Sequence, residues 1–383
     1  MRVCTGVATK KYSTLTIEPF AWSTLHYDEA LHVLQEWRDL AELAQCTYDS
    51  LDVSVQPAFF QLVLYPVLAG GNVMELYILT HLGYLYKSQL RTSTNELAEK
   101  VRDAFTKDAD LTDQYNGLLD GRWDHIIDSR HIGYAGRNPP PANRLPALAY
   151  VSDDPEINIL GVAVQGQNAS FTGEPLLLRP VDPYMPPSET RYIDIFTRAN
   201  GTFSYKIQSN ASYISLTNAN GTVTAPGNPD TRAIITIDWT KAPHGKSMAA
   251  FTINSNHSTA TANLPIYKYS IPSPYTGYIE PNKAISIEAA HHSVEPRHGI
   301  SYTEIPYYGR TLSGVKIWPV TPPPLTPDTG PKLIYDFYAT SSAEIARLTF
   351  LLGASLDHDP SRPLKLAYAL DGKESRTTRV FAD

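Results

Sequence analysis

The sequence predicts a multidomain α + β fold, a helical bundle followed by an immunoglobulin-like β-sandwich and a second, incomplete β-sandwich. Three observations predict it. Apolar residues recur at helical spacing up to about residue 136 and at every second residue after about 148. Two proline-rich joints, Asn138-Pro-Pro-Pro-Ala and the stretch holding Pro272, Pro274 and Gly277, separate regions of different texture. A length of 383 residues suits two to three domains.

Residues 1–24 read as a leader or connector, and the bundle spans 25–136. Its first helix runs over Tyr27 to Thr47, with Leu31, Leu34, Trp37 (or Val33), Leu40, Ala41 and Ala44 near the helical period. Asp28 and Glu29 come early, where negative charge suits the helix dipole. The second run, Pro57 to Leu90, starts with a proline in a first-turn position. Pro66 and Gly70-Gly71 are expected to kink or divide it. A third helix begins at Ser93 or Thr94, with Glu96 placed for a capping box, and continues through Leu97, Val101, Ala104, Leu111 and Tyr115. Short links between such helices describe an antiparallel bundle.

The period changes to two across 148–270. Ile157 and Ile159, then Val162 and Val164, fall at every second residue, Tyr192, Asp194 and Phe196 oppose Ile193 and Ile195, and Ile235, Ile237, Trp239, Phe251 and Ile253 continue the pattern. Asn-Gly pairs at 200–201 and 220–221 read as tight turns. Short strands with frequent turn signals give the immunoglobulin-like sandwich. From 278 to 383, strands are expected at Ile285–Glu288, Val315–Trp318, Leu333–Tyr338, Arg347–Leu352 and Leu364–Leu370, with a rigid loop at Pro322-Pro-Pro-Leu-Thr-Pro. Arg376 to Asp383 reads as strand with no closing element, so this sandwich is expected to be truncated.

With 42% apolar and 19% charged residues, the composition is that of a globular chain and not of a disordered one. A net charge of −7 without a Lys/Arg stripe argues against nucleic acid, and no apolar stretch reads as a membrane span. Thirty prolines favour short strands, and twenty-four tyrosines offer aromatic faces that suit sugar rings or fill sandwich cores. Cys4 and Cys46 make no disulfide framework and lack metal-ligand spacing. The N-terminus lacks the apolar core of a signal peptide, yet five sequons cluster at Asn168, Asn200, Asn210, Asn220 and Asn256. The sequons point to a glycosylated extracellular chain, and loss of a native N-terminus would reconcile the two signals.

Several segments then stand in a recognisable order. Ala58-Phe-Phe-Gln-Leu-Val-Leu-Tyr-Pro-Val precedes Asn72-Val-Met-Glu-Leu-Tyr. Leu111-Thr-Asp-Gln-Tyr-Asn, Gly121-Arg-Trp-Asp-His and His131-Ile-Gly-Tyr follow. Ile285-Ser-Ile-Glu-Ala and Ile305-Pro-Tyr-Tyr-Gly-Arg-Thr-Leu-Ser-Gly-Val complete the set. From about residue 20 to 370 the ordered set resembles glycoside hydrolase family 115. The resemblance implies an extracellular enzyme that removes (4-O-methyl-)glucuronic acid from xylan side chains. It also implies an α/β domain and a (β/α)8 catalytic barrel ahead of the bundle, so this chain is expected to begin after the barrel and to end in a carbohydrate-binding-like sandwich. Two departures stand out. Ala135-Gly-Arg-Asn-Pro replaces an aromatic, Gln-rich stretch, and Ala290 replaces a second acid, which weakens the expectation of a structural calcium at Glu288.

Glycoside hydrolysis needs two carboxylates around the scissile bond, and no convincing pair is found. Asp124 and Asp128, near His125, read as a solvated or capping helix face; Asp357, His358 and Asp359 read as a polar turn. His291 and His292 follow a strand and point to opposite faces, and His298 does not complete a metal site. No nucleophile elbow, P-loop, dinucleotide motif or zinc helix occurs, so no catalytic residue, metal ligand or cofactor is assigned. For binding, Arg310 offers a bidentate fork to a uronate carboxylate or pairs with Glu304, beside Tyr307, Tyr308 and Trp318. His131 and Tyr134, at the bundle exit, line a substrate cleft or pack between domains. Three readings remain open: an accessory region that is inactive alone, a free-standing protein that binds acidic xylan, and a gene fragment. The expected partners are glucuronoxylan or its fragments and a catalytic barrel outside this chain, with no nucleic acid, no membrane, and a homodimer left open.

Overall fold

The computed structural model describes residues 22–134, 139–154, 156–186, 189–308, 312–353, 359, 361 and 363–381. They fall into two units, one ending at Tyr269 and one starting at Ser270.

The first unit opens with three helices, α1 (Glu29–Ser50), α2 (Gln56–Ser88) and α3 (Thr94–Asn116). α2 packs against both of its neighbours. Pro66 and Gly70-Gly71 do not divide it. The missing N–H of Pro66 falls just after a π-helical turn, Phe60–Leu64, which absorbs the misfit within a continuous helix. The glycines serve close approach: a Cβ at Gly70 would stand 2.8 Å from the Trp37 ring of α1. Contrary to the sequence reading, Gln56–Ser88 is long and apolar enough to cross a membrane by length and composition alone. Its apolarity has an internal use, because a helix flanked on two sides must be apolar on more than one face. Buried Asn72 donates from Nδ2 to the Ala104 carbonyl of α3 at 2.7 Å, a bond typical of a protein core.

Nine strands follow among the described residues of this unit. β1 (Leu160–Val164), β3 (Arg191–Thr197), β7 (Asp230–Ile237) and β5 (Ile214–Leu216) form one sheet in that order. β2 (Leu176–Leu177), β9 (Thr259–Lys268), β8 (Gly245–Ser255), β4 (Gly201–Ser209) and β6 (Asn220–Ala225) form the other. Both sheets feed one core, with Val162, Ile193 and Ile195 from the first and Phe203, Phe251 and Leu264 from the second. The Asn-Gly pairs are not hairpin turns. Gly201 (φ 137°) sits where the chain crosses from β3 in one sheet to β4 in the other. Asn220 and Gly221 begin β6, where Gly221 lies opposite Tyr205 and leaves room for its ring.

β3 is buried along its whole length on both faces. Ile193 and Ile195 enter the core shared by the two sheets, while Tyr192, Asp194 and Phe196 face Asp28 and Arg91 at the ends of the helices. Arg91, between α2 and α3, donates to Asp194 at 3.0 Å and lies 4.3 Å from the rings of both Tyr86 and Phe196. Arg232, the cross-strand partner of Asp194 on β7, donates to the same carboxylate at 2.8 Å and stacks on Tyr192 at 3.4 Å. Asp28 completes the clasp. It precedes α1 at φ 47° without capping it, and its carboxylate accepts from Arg232 at 3.0 Å and from the Tyr192 hydroxyl at 2.9 Å. Burial pushes the Asp194 carboxyl up, but Arg91 and Arg232 outweigh it and hold the group below its ordinary value. Asp28 is thus engaged by the strands, while Glu29 stays in the first turn of α1, where the helix dipole favours it.

In the second unit, four two-stranded ladders form among the described residues. β10 (Tyr278–Ile279) pairs in parallel with β15 (Phe337–Tyr338). β11 (Ser293–Glu295) pairs with β14 (Lys332–Ile334), β12 (Ser301–Pro306) with β13 (Ser313–Trp318), and β16 (Lys365–Tyr368) with β17 (Arg376–Arg379), all antiparallel. The expected strands at Ile285–Glu288 and Arg347–Leu352 are not formed, and the expected 333–338 strand is split into β14 and β15. Alternation makes a segment able to pair, but a strand exists only where a ladder partner lies beside it. Glu280 fastens β10 to the end of β15. Its buried carboxylate accepts from the backbone N–H groups of Thr340 (2.7 Å) and Ser341 (2.9 Å) and from the Ser341 hydroxyl.

Candidate functional site

The aromatic candidates of the second unit gather on the β12–β13 hairpin. Trp318 ends β13 opposite Ser301, and Tyr307 follows β12 at φ 61°. Both rings are largely exposed, Tyr307 at 75% and Trp318 at 57%. Tyr308 is 55% exposed, and two glycines make room for its ring: a Cβ on Gly314 would stand 2.7 Å from its Cδ1, and one on Gly353 would meet its hydroxyl. Part of the Tyr308 ring is therefore covered by its own unit. Arg310 lies outside the described residues. Glu304, the acid considered as its local partner, accepts from the Ser313 hydroxyl at 2.6 Å.

His131 is built into the bundle exit. Its Nδ1 lies 3.0 and 3.1 Å from the two carboxylate oxygens of Asp108, which projects from α3 and is only 1% exposed. Asn143 bridges the pair. Its Nδ2 donates to Asp108 at 3.2 Å, and its Oδ1 accepts from the backbone N–H groups of His131 and Ile132 at 2.8 and 3.1 Å. Gly133, at φ 95°, donates to the Tyr77 hydroxyl at 3.0 Å. Burial pushes the Tyr65 hydroxyl up to about 12, and the nearby charge of Asp108 adds to the effect. Tyr134 is half-buried. Sequence reasoning found His131 and missed Asp108 and Asn143. Asp108 looks like one more acid among Asp103, Asp110 and Asp113, and nothing local marks it as the inward one.

Residues after Gly121 turn and are not helical, so Asp124 and Asp128 do not share a helix face; both instead approach exposed His125, at 3.4 and 2.6 Å. The hydrogen bond that the His125 ring donates to Asp128, with the charge of Asp124, raises the His125 pKa. Asp357 and His358 lie outside the described residues, and Asp359 accepts from Ser361 in a local turn. His291-His292 does not follow a strand, and His292 packs edge-on to Tyr335. All five sequon asparagines are exposed; Asn200 donates from its amide to Asp153 at 2.8 Å.

The architecture is that of a multidomain α + β chain with an N-terminal helical region and β-rich units, displaying an aromatic hairpin in the last. Residues 277–383 match the model of the glycosyl hydrolase family 115 C-terminal domain. Among solved structures, the chain is similar to a family GH115 4-O-methyl-α-glucuronidase, BtGH115A, with specificity for decorated arabinogalactans. The identity is 14% and the TM-score 0.25, covering 55% of this chain and 31% of that one. It is also similar to the periplasmic chaperone SfaE, at 9% identity and TM-score 0.22, covering 29% of this chain and 60% of that one. A chaperone–tip adhesin subunit complex from Csu pili of Acinetobacter baumannii gives 10% identity and TM-score 0.21, covering 27% and 59%. The chain thus spans less than two thirds of each of these structures. No curated protein matches the sequence.

Proposed function

We propose that this chain is the C-terminal accessory region of a xylan α-1,2-(4-O-methyl)glucuronidase-like hydrolase, which holds acidic xylan and does not turn it over alone. The match of residues 277–383 to the family 115 C-terminal domain carries the reading. On this reading the strands of the first unit are an immunoglobulin-like sandwich and the C-terminal unit is a carbohydrate-binding-like one. The β12–β13 hairpin supplies the contact. Tyr307 and Trp318 offer exposed aromatic faces to pyranose rings, and Arg310, between them in sequence, offers a fork to the uronate carboxylate. Secretion and glycans at the exposed sequons belong to the same proposal.

Two measurements test it. The purified 383-residue chain should release no glucuronic acid from glucuronoxylan fragments, and release would overturn the claim of inactivity. Calorimetric titration with aldouronic acids should show binding that Arg310→Ala weakens about tenfold, the loss of one charge-assisted pair. Binding without hydrolysis in the isolated chain favours the free-standing binding protein as the second reading, supported by the same exposed hairpin. Absence of heat with the intact chain rejects both.

A further inference from the structure

We propose that Asp108 and His131 form a second carbohydrate subsite, in which the buried carboxylate fixes the imidazole so that Nε2 accepts a hydrogen bond from a sugar hydroxyl. The inference rests on the carbohydrate reading above and adds a site in the other unit.

Asp108 is almost fully buried, and an ionised carboxylate only accepts hydrogen bonds. With both oxygens within 3.1 Å of His131 Nδ1, the proton of a neutral ring resides on Nδ1. Nε2 is then left with its lone pair. The ring cannot swing away, because Asn143 holds both the carboxylate and the backbone of His131 and Ile132. Ile132 is fully buried and accepts from the Arg144 N–H at 3.2 Å, which anchors the segment from the other side. The His131 side chain keeps 20% of its surface exposed, and its Nε2 has no hydrogen-bond partner among the described residues. The ring is oriented as an oriented base or acceptor is, with a buried acid behind it.

A metal ion is disfavoured, since no group of three or more His, Cys, Asp or Glu is assembled among the described residues. A neutral acceptor instead suits an O–H donor. Half-buried Tyr134, three residues on, supplies an aromatic face close in sequence. An aromatic face with a fixed hydrogen-bond acceptor is pyranose chemistry. His131 would bind the hydroxyl, and Asp108 acts through it as a positioning residue.

The test uses the full chain and aldotetraouronic acid, a xylotriose bearing 4-O-methylglucuronic acid. Long-range 1H–15N spectra at neutral pH should show His131 as the Nδ1–H tautomer, and an Nε2–H tautomer overturns the proposal. Diethyl pyrocarbonate should carbethoxylate His131 at Nε2, read by peptide mass spectrometry. Sugar at ten times its dissociation constant should slow that labelling about tenfold, with exposed His125 and His257 unaffected as internal controls. Asp108→Asn should abolish the protection and mix the tautomers. His131→Gln, which retains an acceptor, should keep part of the binding, and it serves should the Asp108 variant fold poorly. Binding heat with unprotected His131 overturns this subsite and leaves the hairpin reading standing. Neither heat nor protection overturns both. Protection that survives unchanged in folded Asp108→Asn removes the positioning role.

Discussion

Asp194→Ala should be among the most damaging single substitutions in the first unit. The Asp194 side chain is 6% exposed, and it neutralises both Arg91, at 4% exposed, and Arg232. Removing it leaves the Arg91 guanidinium buried with Asp230 at 3.6 Å, a carboxyl that burial itself pushes toward the neutral form. Stranding a buried charge in this way costs about 3–5 kcal/mol. For a folding unit of this size each kcal/mol lowers the melting temperature by roughly 2–4 °C, so the expected fall is about 6–20 °C. Thermal and urea unfolding of the full chain, followed by circular dichroism, give the number. The pH dependence carries a sign. Because the folded Asp194 pKa is depressed, its stabilisation is present above the unfolded carboxylate range and is lost as pH falls through the folded value. The gap between wild type and variant should therefore close in acid. The double variant Asp194→Leu/Arg91→Met should lose less than Asp194→Ala alone, since the fully buried cation goes with the acid. A loss below about 1 kcal/mol for Asp194→Ala, the level of an exposed pair, would refute the clasp.

Other substitutions probe separate features. Gly161→Ala should destabilise the first unit by about 1–3 kcal/mol, because Gly161 lies opposite Phe196 on β3 and a Cβ there would overlap the ring; unchanged urea midpoints would show that β1 shifts freely. Glu280→Gln should cost about 1.5–3 kcal/mol in the second unit through lost charge-assisted bonds. Burial pushes Glu280 up, the bonds from Ser341 and Thr340 hold it lower, and so the wild-type advantage should fade below the ordinary glutamate range. Trp318→Ala should weaken aldouronic-acid binding with an unchanged melting temperature, since the ring is largely exposed, whereas Tyr308→Ala should lower the melting temperature through its packing on Gly314 and Gly353.

By itself the sequence determined the order of the parts. Helical spacing gave three helices within a few residues of their bounds, and alternation marked β1, β3, β7 and β8, because both periods are local consequences of burying one face. The ordered motifs pointed to family 115, and the C-terminal match agrees. His131 was legible as a residue but not as a dyad, since Asp108 lies 23 positions earlier on another element. The tertiary structure decided what the outer face of β3 is for. Tyr192, Asp194 and Phe196 read in sequence as the second face of a strand, and only in the fold does that face meet Arg91, 103 residues away. Pairing also decided the second unit, where segments of strand-like alternation remain unpaired. A strand's periodicity is written in its own residues, but its ladder partner and the charge that covers it come from chain brought near by folding.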